Sequence, residues 1–342
     1  MRISATLFVV GVLGMGCGGS SSPGVDFADL GEDSQDVEGI KDGVLLEQAC
    51  HDRAAAYCRL QDVCYGTIGG TNRHYGDFAT CVARGQAYCL TRLSAPGSAS
   101  DAAIESACAK ACVGATCGEY FGVIAGCMTP RGDLTTGATC TVSAQCQSTF
   151  CRIPKGAMCG TCQPTSKKGD DCSTAFCSQG FVCNGVTFTC TPSVDVGSPC
   201  SPLGGSTCRI DAVCVEGTCQ PAVTRAGDAC DSAPAGCANN LNLTCEGSKC
   251  VENVLATTGL PCGKIDNLAR TYCTGAADCF EKEGAGICMA KATDGGACSF
   301  DVGPACMAPA ICALLAGGGT VGVCTLPNPS LCISVAGDDA IP

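Results

Sequence analysis

Cysteine is the residue that most constrains how this chain can fold, because 36 of its 342 residues are cysteines, about one in ten. Such a density is typical of small exported domains that are held together by disulfide bonds. Large aliphatic and aromatic side chains make up only about a fifth of the chain, near the level at which a large hydrophobic core becomes doubtful. The sequence therefore predicts a string of small cross-linked modules and argues against one enzyme-like domain.

The charge balance excludes one class of partner. The chain has 20 Lys and Arg residues against 32 Asp and Glu residues, which gives a formal net charge of −12. Binding to the phosphates of a nucleic acid needs a basic surface. We therefore expect no nucleic-acid partner.

The first 16 residues are predicted to be a signal peptide. Arg2 supplies a positive charge, and the apolar stretch 3–13 is too short to span a bilayer. Small residues then precede Cys17, and this segment resembles the lipobox of bacterial lipoproteins. The resemblance implies that Cys17 is the lipidated first residue of the mature chain, which acyl chains hold at a membrane surface. The alternative is an ordinary cleaved signal with a free Cys17 nearby.

Residues 17–44 are predicted to be a flexible tether. Glycine and serine follow the cysteine, and residues 23–48 then carry eight acidic side chains against Lys41 alone. Such a stretch repels itself and stays extended. Calcium binding by these carboxylates is the alternative, and it is disfavoured because the spacing of a twelve-residue calcium loop is absent.

Residues 45–130 are predicted to form a short helical, cysteine-rich head. Its cysteines include pairs that are eight or four residues apart, a spacing that returns to the same helix face: Cys50 and Cys58, Cys81 and Cys89, Cys108 and Cys112. Asp77 and Asp101 are candidate N-caps. We expect three or four short helices that are cross-linked through one face each. The seven aromatic residues of the head are predicted to fill its small core, with an aromatic binding face as the alternative.

Residues 137–327 contain six segments with the same Gly-x-x-Cys opening, and a tandem array of short β-hairpin and loop repeats is predicted. Segments 1 to 6 begin at Gly137, Gly169, Gly197, Gly227, Gly259 and Gly295. Segments 2 to 6 hold four cysteines each and segment 1 holds five. About 30 residues cannot bury enough apolar surface to fold alone, so two disulfides per segment would supply the missing stability. Four cysteines allow three pairings, and we predict the interleaved one, first with third and second with fourth.

The segments resemble the Dickkopf N-terminal cysteine-rich repeat as it occurs in bacterial proteins. The resemblance rests on the Gly-x-x-Cys openings, on Cys-Gln-Ser at 146–148, on Cys-Gly-Thr-Cys at 159–162 and on the Cys-Gln-Pro endings at 162–164 and 219–221. The whole chain is similar to cysteine-rich lipoproteins of Gram-negative bacteria that join a helical head to such an array. The resemblance implies a fold style and export, and it implies no activity.

No catalytic, cofactor-binding or metal-binding residues are predicted. Cys159 and Cys162 resemble a redox dithiol, but they lie in a Gly- and Pro-rich repeat and not between a strand and a helix. The two histidines, His51 and His74, lack the spacing of a zinc site and are predicted to be surface residues.

One cysteine remains over when the segments are counted. With Cys17 lipidated, 35 cysteines are left, and Cys332 in the C-terminal tail (residues 328–342) falls outside every unit. An odd cysteine in an exported protein suggests a free thiol or an intermolecular bridge. Cys332 is therefore predicted to be free or to link a dimer.

These observations predict an exported lipoprotein at the outer membrane or cell surface, with the array projecting from the membrane. It would act as a binding or structural module for an unknown protein or glycan, with no catalysis and no cofactor, and an array offers an extended surface for contacts. The alternatives are an exported thiol–disulfide oxidoreductase that uses Cys159 and Cys162, and an inhibitor of exported hydrolases.

Overall fold

The computed structural model describes residues 38–121, 123–173, 176–184, 187–201, 206–209, 212–230, 236–238, 241–263, 271–282, 285–315 and 319–332. The predicted signal peptide, Cys17 and the tether up to residue 37 lie outside the described residues, as does the tail beyond Cys332. Helix α1 begins at Glu38, so residues 38–44 are helical and not part of an extended tether.

The N-terminal region of the described chain is helical, as the cysteine spacing predicts, but it has five helices and not three or four, and the first is 32 residues long. The helices are α1 (Glu38–Gly69), α2 (Thr71–Tyr75), α3 (Phe78–Ser94), α4 (Ala102–Gly114) and α5 (Cys117–Phe121). Gly66 has a φ of 54°, which kinks α1. Both predicted caps are confirmed: Asp77 accepts a hydrogen bond from Thr80 N, and Asp101 accepts one from Ile104 N. The backbone hydrogen bond from Thr80 holds the pKa of Asp77 below its usual value.

Disulfides connect these helices in antiparallel register. Cys50 bonds Cys89 and Cys58 bonds Cys81, so two turns of α1 are matched with two turns of α3. Between the two bonds Gly85 faces Ala54, where a Cβ on the glycine would come within 2.9 Å of the Ala54 Cβ. The cross-links and this small contact hold the two helices close together. Two further bonds, Cys64–Cys117 and Cys108–Cys127, attach α5 and a 3₁₀ turn at Ala125–Cys127.

A buried ion cluster joins α1, α3 and α4. Glu105 on α4 has no solvent exposure, and one of its carboxylate oxygens accepts a hydrogen bond from Arg53 Nη1 on α1 at 2.8 Å. The other oxygen accepts from Arg92 Nη2 on α3, and Arg92 is also buried. Desolvation of Arg92 lowers the pKa of its guanidinium. A charge at this depth is tolerated because both carboxylate oxygens have a cationic partner.

The remainder of the described chain forms small sheets of two or three strands. The sheets are β1-β3-β2, β4-β5-β6, β7-β8, β9-β10, β11-β13, β12-β15-β14 and β16-β18-β17. The strands are β1 Thr139–Cys140, β2 Cys151–Arg152, β3 Gly160–Cys162, β4 Phe181–Cys183, β5 Cys190–Val194, β6 Thr207–Cys208, β7 Ala212–Val215, β8 Thr218–Pro221, β9 Leu243–Glu246, β10 Lys249–Glu252, β11 Val254–Ala256, β12 Pro261–Cys262, β13 Thr271–Cys273, β14 Ala277–Lys282, β15 Ala285–Ala290, β16 Ala297–Ser299, β17 Ile311–Leu314 and β18 Val321–Thr325. Short 3₁₀ turns lie at Ser143–Gln145 and Pro329–Cys332.

The disulfides within segments 2 to 6 follow the interleaved pairing, and that prediction is confirmed. The bonds are Cys172–Cys183 with Cys177–Cys190, Cys200–Cys214 with Cys208–Cys219, Cys230–Cys245 with Cys237–Cys250, Cys262–Cys279 with Cys273–Cys288, and Cys298–Cys312 with Cys306–Cys324. The third and fourth cysteines of each segment lie opposite each other on a hairpin, as Cys214 and Cys219 do. These two cysteines bond the first and second cysteines of the segment and not each other. Two disulfides therefore attach the hairpin to the rest of its segment.

The opening glycine and the fourth of these cysteines are joined by a backbone hydrogen bond. In segment 3, Gly197 N donates to Cys219 O at 2.7 Å, and in segment 6, Gly295 N donates to Cys324 O at 2.8 Å. The opening glycines have φ between 77° and 89°, a range that L side chains rarely adopt. The glycine is thus required by the turn that returns the chain to the end of its own hairpin.

Segments 5 and 6 contact the head. Asn72 of the head accepts from Ala276 N through its backbone oxygen and from Thr274 Oγ1 through its side chain. Segment 6 also contacts segment 1, where Leu314 N donates to Gly156 O at 3.3 Å and Lys155 Nζ lies 4.5 Å from the centroid of the Phe300 ring. The last segments are therefore fixed to both the head and the first segment.

Among the described residues, none of the helices combines the length and the apolar character that crossing a membrane would require.

We expect Glu105→Gln to lower the free energy of unfolding by about 3–5 kcal/mol, because it leaves the buried Arg92 and the partly buried Arg53 without their counter-charge. Denaturant unfolding of the oxidised protein measures this change. Glu47→Gln, which removes the same charge from an exposed position of α1, serves as the control and should change stability little. An equal effect of the two substitutions would show that the ion cluster does not support the head.

Candidate functional site

Cys332 is bonded to Cys159 and is not free. The prediction that Cys332 is a free thiol or an intermolecular bridge is therefore wrong. The bond spans 173 residues of sequence and joins the C-terminal 3₁₀ turn to segment 1. Because the last segment folds back onto the first, the two cysteines meet although they are far apart in sequence.

Cys159 and Cys162, which resemble a redox dithiol in the sequence, do not form one in the structure. Cys162 bonds Cys146, and Cys159 bonds Cys332, so the two sulfurs belong to different disulfides. A redox dithiol requires the two cysteines to bond each other. Cys140–Cys151 and Cys146–Cys162 instead give segment 1 the same interleaved pairing as segments 2 to 6. The fifth cysteine of segment 1 is the one that reaches Cys332.

Among the described cysteines, the unpaired thiol is Cys112 on α4. It is 2% exposed, and burial raises the pKa of its thiol. The sequence carried a signal for this outcome, because the head and segment 1 each hold an odd number of cysteines. Pairing Cys332 with the extra cysteine of segment 1 leaves the odd one in the head.

The candidate ligand site is a cleft of about 450 Å³ between the head and segment 6. The side of the head is formed by α1, α2 and α3, and Ala308 and Pro309 of segment 6 form the opposite side. The larger side chains that face the cleft are three tyrosines, two arginines and a glutamine: Tyr57, Tyr75, Tyr88, Arg53, Arg84 and Gln61. Small residues complete the lining. A concave site of this size with aromatic walls and a few polar groups is typical of ligand sites.

Arg84 holds the two sides of the cleft together. Its Nε donates to Ala308 O at 2.8 Å, its Nη2 donates to Met307 O at 2.7 Å, and its Nη1 lies 2.6 Å from Asp294 Oδ2. Ala308 and Met307 belong to segment 6, and Asp294 directly precedes its opening glycine. One side chain of α3 therefore fixes the position of the segment that forms the opposite wall.

The tyrosines of the head have two roles. Tyr120 packs against the core of the head and its ring centroid lies 5.2 Å from that of Tyr57. Burial and the neighbouring Tyr57 raise the pKa of its hydroxyl. Tyr57 and Tyr88 are 44% and 39% exposed and face the cleft. The aromatic residues thus include core residues and residues of an accessible surface.

The histidines have different environments. The side chain of His51 is half exposed, and its Nδ1 lies 3.5 Å from Asp52 Oδ1. His74 is partly buried, and desolvation together with nearby Lys291 and Arg73 lowers its pKa to about 4. Lys291 Nζ donates to the backbone oxygen of His74 at 3.2 Å. His74 therefore belongs to the contact between the head and segment 5, and the prediction of a surface position fits only His51.

No protein family, no curated protein and no solved structure matches the chain.

We expect Cys332→Ser to release one accessible thiol at Cys159 and to lower the unfolding temperature. In the chain-entropy description, a cross-link that closes so long a loop contributes about 3–5 kcal/mol. Alkylation of the folded protein followed by an intact mass measures the released thiol. The double variant Cys159→Ser with Cys332→Ser should show the same loss of stability without the added label. A disulfide-linked dimer of the wild type that Cys332→Ser abolishes would contradict the intramolecular bond.

Proposed function

We propose that this chain is an exported, membrane-anchored cysteine-rich lipoprotein that acts as a binding module at the cell surface without catalysing a reaction. The single observation that carries the binding role is the cleft formed by the head and segment 6. Disulfides supply the rigidity that a large core would otherwise provide, which suits a protein exposed to an oxidising exterior. Lipidation of Cys17 is the proposed means of attachment.

We further propose that segments 1 to 6 are copies of one module in a tandem array. Three shared features support this reading: the interleaved disulfides, the hydrogen bond from the opening glycine, and a parallel bridge. In that bridge a residue just before the opening glycine pairs with the second cysteine, as Ser166 does with Cys177 and Ala292 with Cys306. Six independent small folds would have no reason to share all three features.

The proposed partner of the cleft is an exposed loop of another protein of the cell envelope. Tyrosine and arginine are the residue types that most often supply the binding energy of protein interfaces. Tyr57 and Tyr88 offer accessible rings, and Arg53 adds a cation that shares Glu105 with Arg92. One carboxylate facing two guanidinium groups leaves positive charge at this edge of the cleft, which favours an acidic group on the partner.

A glycan is the second candidate occupant, because planar rings and polar side chains also line the cleft. Inhibition of an exported hydrolase remains a further prediction from the sequence. No described residue points specifically to inhibition of a hydrolase, whereas the binding role is supported by a defined cavity.

We expect the full-length chain to incorporate a labelled fatty acid in its native host, and Cys17→Ser to abolish the incorporation, because the acyl chains attach to that sulfur. Ser20→Ala, in the same polar stretch, should retain the label and serves as the control. The intact mass of the mature protein provides the second measurement. An unmodified Cys17 in the mature wild-type protein would contradict the anchor.

We expect a photo-reactive benzoylphenylalanine in place of Tyr88 to cross-link a partner in the intact cell envelope. The same probe in place of Val63, an exposed position of α1 outside the cleft, is the matched control and should give no adduct. Adding Tyr57→Ala to the Tyr88 probe should reduce the adduct about tenfold or more, since an interface tyrosine often contributes about 2 kcal/mol. Electrophoresis and mass spectrometry identify the adduct. Equal adducts at positions 63 and 88 would place binding elsewhere, and an adduct with carbohydrate would favour the glycan.

A further inference from the structure

Three sulfur atoms of the head lie close together although only two of them are bonded. The sulfurs of Cys108, Cys112 and Cys127 are all within 4.8 Å of one another. Cys108 bonds Cys127, and the free Cys112 Sγ lies 3.5 Å from the Cys127 Sγ. A free thiol is thus in contact with a disulfide in the interior of the head.

The fold places Cys127 within reach of two turns of α4. Cys108 and Cys112 are four residues apart on this helix, so their side chains share one face. The 3₁₀ turn at Ala125–Cys127 packs directly on that helix. A Cβ on Gly126 would come within 2.7 Å of the Ala111 Cβ, so this glycine allows the close approach. The turn is therefore held where either cysteine of α4 can bond Cys127.

We propose that Cys108, Cys112 and Cys127 form an intramolecular thiol–disulfide exchange site in which Cys127 alternates between its two neighbours on α4. The Cys112 thiolate attacks Cys127 Sγ, a Cys112–Cys127 bond forms, and the Cys108–Cys127 bond breaks. Cys108 leaves as a thiolate and takes up the proton that Cys112 lost. The number of disulfides is the same before and after, so the exchange consumes no oxidant or reductant.

The surroundings of the site favour internal exchange over reaction with external reagents. Cys112 is buried with Ala56, Leu60 and Cys64 in the apolar cluster between α1 and α4. Burial raises the pKa of the thiol, so the thiolate is scarce and the exchange is slow. The neighbouring disulfide is already in contact, and no diffusing partner is needed.

Serine at position 108 provides the first test. If Cys112 and Cys127 can bond, Cys108→Ser should fold with no free thiol apart from any at Cys17, whereas the wild type has one, Cys112. Each protein is unfolded in acid without reductant, labelled with a maleimide and weighed. Cys50→Ser is the matched control and should show two labels, at Cys89 and Cys112. Two labels in Cys108→Ser would mean that Cys112 and Cys127 do not bond, and would overturn the proposal.

Peptide mapping of the wild type provides the second test and needs no variant to fold. Trypsin cleaves after Lys110, which lies between Cys108 and Cys112. After acid quench and labelling, the Cys108–Cys127 form leaves peptide 93–110 linked through its disulfide. The alternative form releases 93–110 as a separate peptide that is labelled at Cys108. We expect both forms in a protein equilibrated at neutral pH, and label confined to Cys112 would overturn the proposal.

Cys112→Ser is the control for this mapping. It removes the attacking sulfur, so no label should appear on peptide 93–110 and the Cys108–Cys127 bond should be the single form. Labelled 93–110 in this variant would show that the peptide arises from shuffling during work-up, and the wild-type result would then count against the exchange.

Discussion

Covalent bonds between sulfur atoms take the place that apolar packing has in larger domains. The buried residues of the described chain are mostly cysteines and alanines, with few large side chains among them. Clusters of buried cysteines form the centre of individual segments, as Cys230, Cys237 and Cys250 do around Leu243. With so little apolar area to bury, these segments depend on cross-links that restrict the unfolded chain. The centres of these segments therefore depend on those bonds being closed.

The sequence made the local features predictable because they depend on residues that are close along the chain. The interleaved pairing in segments 2 to 6 and the caps Asp77 and Asp101 are all decided within about 30 residues. The bond from Cys159 to Cys332 was not predictable, because it requires the sixth segment to return to the first. No local pattern encodes that return. Counting cysteines unit by unit leaves one odd cysteine each in the head, in segment 1 and at Cys332, and only the fold shows that the last two pair.

The cleft could be predicted only in part. The tyrosines of the head were recognised, and an aromatic binding face was an alternative to core filling. Which of them reach solvent depends on the position of segment 6, since Ala308 and Pro309 form the opposite wall. That position is set by Arg84, whose acceptors are mostly backbone oxygens and therefore leave no signature in the sequence. The sequence thus predicts the disulfides that form within a segment, and it does not predict the contacts between segments that complete the cleft.

The bond between Cys159 and Cys332 also determines how the molecule would bear mechanical load. If the chain is pulled between its head and its C-terminal turn, tension passes from residue 332 to residue 159 through one covalent bond. The segments between these two cysteines then lie outside the path of the force and stay relaxed. A peptide bond cut between them would likewise leave both ends attached. This closure makes segments 2 to 6 insensitive to stretching and to a single cut in the chain between Cys159 and Cys332.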